Sequence, residues 1–305
     1  MRIIKVLITL FLIIGFVFLI YKALTSYERA SKGGQLTHLN NIRPQAQQME
    51  YFRKTVKSHE KFDPAQLAKF IDYYKEVVVL YPTMADAYGM LGFCYAQVGD
   101  FDSAIAAYKQ AIQLLPQFFW FHYNLGLIHF KKGDYKEAIS VLNHALTADL
   151  ENSLKFIASS QRIYLPLLPN NEPDFGGYLR RQMQQGYKDC SALLVLSYIY
   201  IENFTSALNV ARFALESKSA EAYFLNYHAG FAAYRLKEFP RAVSYLQESI
   251  KQSLNFADAY YVLGLSLKEL GALEPAEMMI KKAALLHQKE PQPIPVEHTI
   301  YLQSY

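Results

Sequence analysis

The sequence predicts an all-α solenoid of stacked helix-turn-helix units carried behind an N-terminal transmembrane helix. Three observations point there. Leu91, Gly92, Gly99, Ala104 and Ala111 recur 34 residues later as Leu125, Gly126, Gly133, Ala138 and Ala145, and Gly230 and Ala242 recur at the same step as Gly264 and Ala276. The 305-residue chain is 52% hydrophobic and 19% charged, too apolar to remain disordered over most of its length. Residues 6–21, VLITLFLIIGFVFLIY, carry no charge. A fixed period of this length makes each period one helical hairpin that cannot bury its apolar face alone, so the units must stack.

The first element is the apolar run, placed with its flanks at 1–22. Arg2 and Lys5 precede it and Lys22 follows. At ~1.5 Å per residue, a helix of this length with snorkelling lysines covers a thin bilayer core. The alternative reading is a signal-like segment that is cleaved; such a peptide has a shorter apolar stretch and a small-residue cleavage site, and Ala23 and Ala30 make no convincing one. The basic residues on the two sides nearly balance, so the positive-inside rule hardly decides orientation. The short N-terminal stub is that of a signal-anchor, which keeps its N-terminus inside and places the bulk of the chain outside the cytoplasm. Residues 23–50 read as a polar connector broken by Gly33-Gly34 and by the pre-proline Arg43.

Residues 51–290 follow as about seven units, or about 14 helices at two per period. Residues 51–84 match the period mainly in their second half, through Tyr74, Val77 and Pro82. The unit from Ala85 reads ADAYGMLGFCYAQVGDFDSAIAAYKQAIQLLP: two blocks with apolar residues at three- and four-residue intervals, split at Gly99-Asp100. Gly92 and Ala104 stand where two helices must approach closely, and Pro116 stops the second helix. The period is strong at 85–152 and 223–290. It nearly dissolves at 153–187, where two helix-like pieces flank the loop 165–174 with its PLLPNNEP. That loop is long for a repeat turn, so it marks a degenerate unit or carries function. The tail 291–305 has three prolines and ends the array as an extended or disordered segment.

Tyr88, Leu91-Gly92, Tyr95, Gly99, Phe101, Ala104, Tyr108, Ala111 and Pro116 resemble the tetratricopeptide repeat family throughout its pattern. The units from Phe119, Lys188, Tyr223 and Ala257 are similar, with Leu194-Val195 replacing the Leu-Gly pair and Lys237 replacing a turn glycine. The resemblance implies a right-handed superhelix whose first helices line a concave groove. Carried over by position, the implied lining comprises Asp86, Phe93 and Gln97; then Trp120, Tyr123, Asn124, Leu127, Phe130 and Lys131; then Leu196, Ile199 and Tyr200. It continues with Phe224, Tyr227, Phe231, Tyr234 and Arg235, and ends with Asp258, Tyr261, Leu265 and Lys268. Family members that clamp a chaperone's C-terminal carboxylate carry Lys and Asn where Gly89, Phe93, Tyr123 and Leu127 stand, so that mode is not expected. An aromatic groove suits an apolar peptide or amphipathic helix. The competing reading is that these aromatics pack against neighbouring helices or a folded-back tail.

Other chemistry is thin. Nine Lys/Arg against three Asp/Glu fall in residues 1–60, and the rest of the chain is slightly acidic, so the net charge of +4 is no nucleic-acid footprint. Cys94 and Cys190 have no disulfide or metal spacing. His122 and His129 share a helix face but lack the partners of a zinc pair, and no metal or cofactor is expected. Asp174-Phe175-Gly176 lacks every motif that accompanies it in kinases. The sequence therefore predicts a membrane-anchored, non-catalytic scaffold that holds a partner protein in its groove for assembly of a membrane-associated complex. The alternative is a structural protein that self-associates through its solenoid ends into oligomers or filaments. An enzyme built on the 165–180 region is the third reading.

Overall fold

The structure is a computed structural model that describes residues 62–149, 151–153, 175–216 and 223–289, with short pieces at 33–34, 37–41, 43, 47–48, 50–51 and 54–55. The expected anchor at 1–22, the loop 165–174 and the tail 291–305 lie outside the described residues, as does much of the connector. Among the described residues no helix is long and apolar enough to cross a membrane.

Eleven long helices follow one another among the described residues, which contain no strand. They are α1 (Pro64–Leu80), α2 (Ala85–Gln97), α3 (Phe101–Leu114), α4 (Phe119–Lys132), α5 (Tyr135–Thr147), α6 (Phe175–Tyr200), α7 (Phe204–Glu216), α8 (Tyr223–Arg235), α9 (Phe239–Gln252), α10 (Ala257–Glu269) and α11 (Leu273–Lys289). Helix starts follow local chemistry. Asp63 caps α1 by accepting from the Ala65 amide at 2.9 Å, with Pro64 in the first turn, and Asp100 caps α3 by accepting from Ser103 at 3.1 Å. Gly99, Gly133 and Gly271 make the hairpin turns at φ near +80°. Glu202 and Lys237 take the same left-handed conformation at φ 58° and 63° in the hairpins α6–α7 and α8–α9. A side chain there carries a steric cost that glycine does not.

Helix pairs α2–α3, α4–α5, α6–α7, α8–α9 and α10–α11 form the hairpins, and each packs on the next. First helices are buried nearly all round; α4 is covered from Phe119 to His129. Second helices bury one stripe, such as Ala138, Leu142 and Ala145 on α5, and turn a polar face outward. Close approach within a hairpin needs a missing side chain. A Cβ on Gly126 would stand 2.6 Å from Leu142, and one on Gly264 would stand 2.6 Å from Ile280.

The helix-like piece after the loop 165–174 is continuous with the next first helix, and together they make the 26 residues of α6. The second half of α6 stacks directly on α4 and α5. The Cys190 thiol points at the Leu142 carbonyl at 3.6 Å, and Asn143 reaches the Tyr198 hydroxyl at 3.5 Å. The first half of α6 runs past the start of α4, an overhang of about 18 Å for about 12 residues. Arg180 ties it to Glu151 at 2.6 Å. Gly186 does not break the helix, because it provides close packing against Trp120 and Phe119. Two buried clusters result. One runs from α1 to Leu193 and Leu194 on α6, the other from Ala192 and Val195 on α6 to Leu263 on α10.

Candidate partner-binding groove

The first helices α2, α4, α6, α8 and α10 lie side by side and form one face of the stack. Fifteen of the twenty-one residues implied for a groove separate into two sets along it; of the others, Asp86 and Leu196 are buried.

Phe93, Trp120, Tyr123, Asn124 and Leu127 are buried, all at 2% exposure or less. Phe62, just ahead of α1, sets its ring edge-on to Phe93 at 5.8 Å. At the start of α4, Gly186 packs against Trp120 and Tyr187 stacks on Phe119 at 4.5 Å, and Phe119 in turn meets Trp120 at 4.8 Å and Tyr123 at 5.8 Å. These five are interior packing, so over this stretch internal coverage replaces an open lining.

The remaining ten stay accessible. Gln97 is half-buried at the end of α2 and Lys131 is exposed near the end of α4. Phe130 meets the half-exposed Tyr200 ring at 5.6 Å, and Tyr200 stacks nearly parallel on Tyr135 at 4.6 Å. Along α8, Phe224, Tyr227, Phe231 and Tyr234 are half-buried and form a stripe at three- and four-residue spacing. Tyr227 leans on Phe256 at 4.7 Å, and Phe231 meets Phe204 at 6.2 Å. Tyr261, 48% exposed, carries the stripe onto α10.

Charge enters at two points. The Arg235 guanidinium lies over the Phe204 ring at 4.3 Å and the Phe231 ring at 5.8 Å, with Glu202 at 3.6 Å. A guanidinium held over an aromatic face loses little on further ordering and keeps donors available for carboxylates or peptide carbonyls. Asp258 stands at the other end, paired with His287 at 3.2 Å. Burial, with the Asp258 carboxylate nearby, pushes the Tyr227 phenol well above its ordinary range, so it remains a neutral donor.

Sequence position alone missed Tyr135, Phe204 and Glu202. Tyr135 and Phe204 occupy the aromatic site that opens a second helix, the register at which Phe101 and Phe239 also stand, and that recurrence is the signal that could have found them.

Burial pushes the Cys94 and Cys190 thiols up, which keeps both protonated. The His122 ring faces His144 at 5.9 Å, and its Nε2 donates to the Pro116 carbonyl at 2.7 Å. Among the described residues no three His, Cys, Asp or Glu side chains are grouped as a metal site requires.

Comparison with known proteins agrees with this architecture. A TPR repeat model matches residues 94–133, and tetratricopeptide repeat models match 119–152 and 257–288. Among solved structures the chain is similar to YrrB, described as a TPR protein with an unusual peptide-binding site. The identity is 18% over 72% of this chain and 94% of YrrB, with a TM-score of 0.53. It is also similar to MamA (41 to the end) from Desulfovibrio magneticus RS-1, at 13% identity over 68% of this chain and 97% of that one, with a TM-score of 0.51. No curated protein sequence matches the chain.

Proposed function

We propose that this chain, a tetratricopeptide-repeat protein by its repeat matches and its fold, is a membrane-anchored scaffold that holds an apolar peptide or amphipathic helix of a partner protein. Residues 6–21 are the anchor and the solenoid stands outside the cytoplasm. The bound segment lies along α8, flanked by Tyr200 on α6 and Tyr261 on α10. The protein performs no chemistry of its own, and its role is assembly of a membrane-associated complex.

One observation carries this reading: Phe224, Tyr227, Phe231 and Tyr234 form a half-buried stripe, while three of their four counterparts on α4, Trp120, Tyr123 and Leu127, are fully buried. An aromatic row left open in an otherwise filled stack is the type of surface that supplies anchor pockets for apolar side chains. Arg235 on its aromatic bed and Asp258 at the other end give a bound segment a preferred direction. YrrB shows that this fold supports peptide binding. Cross-linking with mass spectrometry on the full chain in its native membranes tests the reading. Links from a partner segment to residues around Tyr200, Phe231 and Tyr261 support it, and links confined to the outer faces of α7, α9 and α11 contradict it.

A further inference from the structure

At two positions the outer face of the last helix departs from the other second helices, of which α7 also exposes an apolar side chain elsewhere, Phe213 at 77%. At its sixth position α3, α5, α7 and α9 present Ala106, Ser140, Asn209 and Ser244, all exposed, whereas α11 presents Met278 at 54% exposure. At the thirteenth position they present Gln113, Thr147, Glu216 and Lys251, whereas α11 presents Leu285 at 55%. Met278 and Leu285 are seven residues apart and share one face. Leu270, which caps the end of α10, and Leu273, the first residue of α11, are exposed as well. No neighbouring unit needs apolar side chains at these positions, since four second helices serve the same stack with small or polar ones. An apolar cluster of this kind marks a contact surface.

The charges around it indicate the occupant. Glu274 and Glu277 lie in the first half of α11, and Lys281 and Lys282 in the second. Two antiparallel copies of this helix set the acidic half of each against the basic half of the other. Among the described residues, the opposite end of the stack is partly covered ahead of α1. Leu39 and Thr55 are buried, Tyr51 packs edge-on to Phe62 at 6.3 Å, and Arg43, Gln48 and Tyr51 face Gln66, Lys69 and Asp72 of α1 across a cleft. A head-to-tail filament needs two complementary open ends, whereas an isologous pair needs one self-complementary face.

We propose that the chain forms a closed dimer with a second copy of itself through the outer face of α11, the two helices antiparallel, with Met278 and Leu285 in the contact. The interface does not involve the groove on α8, so each protomer keeps its groove open.

The test is cysteine cross-linking of the full chain in membranes, where the buried Cys94 and Cys190 stay silent. Met278→Cys is expected to give a disulfide-linked dimer under mild oxidation, and Phe213→Cys, on the exposed outer face of α7, is expected not to. Added to Met278→Cys, the pair Glu274→Lys/Glu277→Lys or the pair Lys281→Glu/Lys282→Glu lowers the dimer yield several-fold. All four charge changes together restore it, because the halves again oppose. The proposal is overturned if Phe213→Cys links as well as Met278→Cys, or if the charge pairs have no effect. A monomeric Met278→Cys also overturns it, whether maleimide reaches the thiol or residues 290–305 shield it.

Discussion

The Tyr187 ring lies over the Phe119 ring, centroids 4.5 Å apart and planes 30° apart, and its hydroxyl donates to the Ala148 carbonyl. One residue earlier, a Cβ on Gly186 would run into the Trp120 indole. This seam fixes α6 across the start of α4. It also decides that the groove is closed there and open farther along.

Loosening the seam is expected to cost stability in a graded way. Tyr187→Ala removes a stacked ring and should cost about 2–4 kcal/mol. Tyr187→Phe removes only the hydrogen bond and should cost about 1 kcal/mol. Gly186→Ala forces the indole aside at roughly 1–3 kcal/mol. Urea unfolding of the three variants checks the order; equal midpoints for Gly186→Ala and the unmodified chain would show that Trp120 has room to move.

Much of this fold was legible in the sequence, and the exceptions share one cause. The hairpins were readable because their determinants are local: Gly126 opposite Leu142, the turn glycines, Asp100 as a cap. Which aromatics remain open was not readable. Trp120 and Tyr227 occupy the same face of equivalent helices, yet one is covered and the other half-open. Coverage of Trp120 depends on how far α6 runs past α4, and that in turn depends on the continuity of 175–187 with the following helix. Periodicity carries no information on such an overhang, since both pieces read as helix separately.

Lys237 supplies a test of opposite sign. It holds φ at 63° in the turn where Gly271 stands one period later. Lys237→Gly removes the steric cost of a Cβ in that conformation while adding freedom to the unfolded chain. The net effect is expected to be a gain of roughly 0.5–1 kcal/mol, read as a melting temperature about 1–4 °C higher. A lower melting temperature would mean that the lysine side chain contributes more than its backbone costs.

His122 gives a pH prediction. Its burial lowers the ring's proton affinity, the Pro116 hydrogen bond opposes that, and His144 adds to the lowering. The folded-state pKa is depressed, so the unfolded chain binds the proton more readily. Stability is therefore full above the unfolded value of about 6.5 and falls as pH drops through it towards the folded value. His122→Phe, which keeps an aromatic ring at that position, should flatten the decline in denaturation midpoint between pH 7.5 and 5.5. An unchanged slope would assign the pH dependence to other groups.

The central claim is that the open aromatic stripe on α8 and α10 holds a partner. It is tested most directly by capture from native membranes on the full chain and on Phe231→Lys/Tyr261→Lys, with the folded state of the variant checked by its melting temperature. Both side chains reach solvent, so the variant should stay folded while the captured partner falls at least about tenfold, the loss of roughly 1.4 kcal/mol or more of anchor energy. Undiminished capture by a folded variant would contradict the claim.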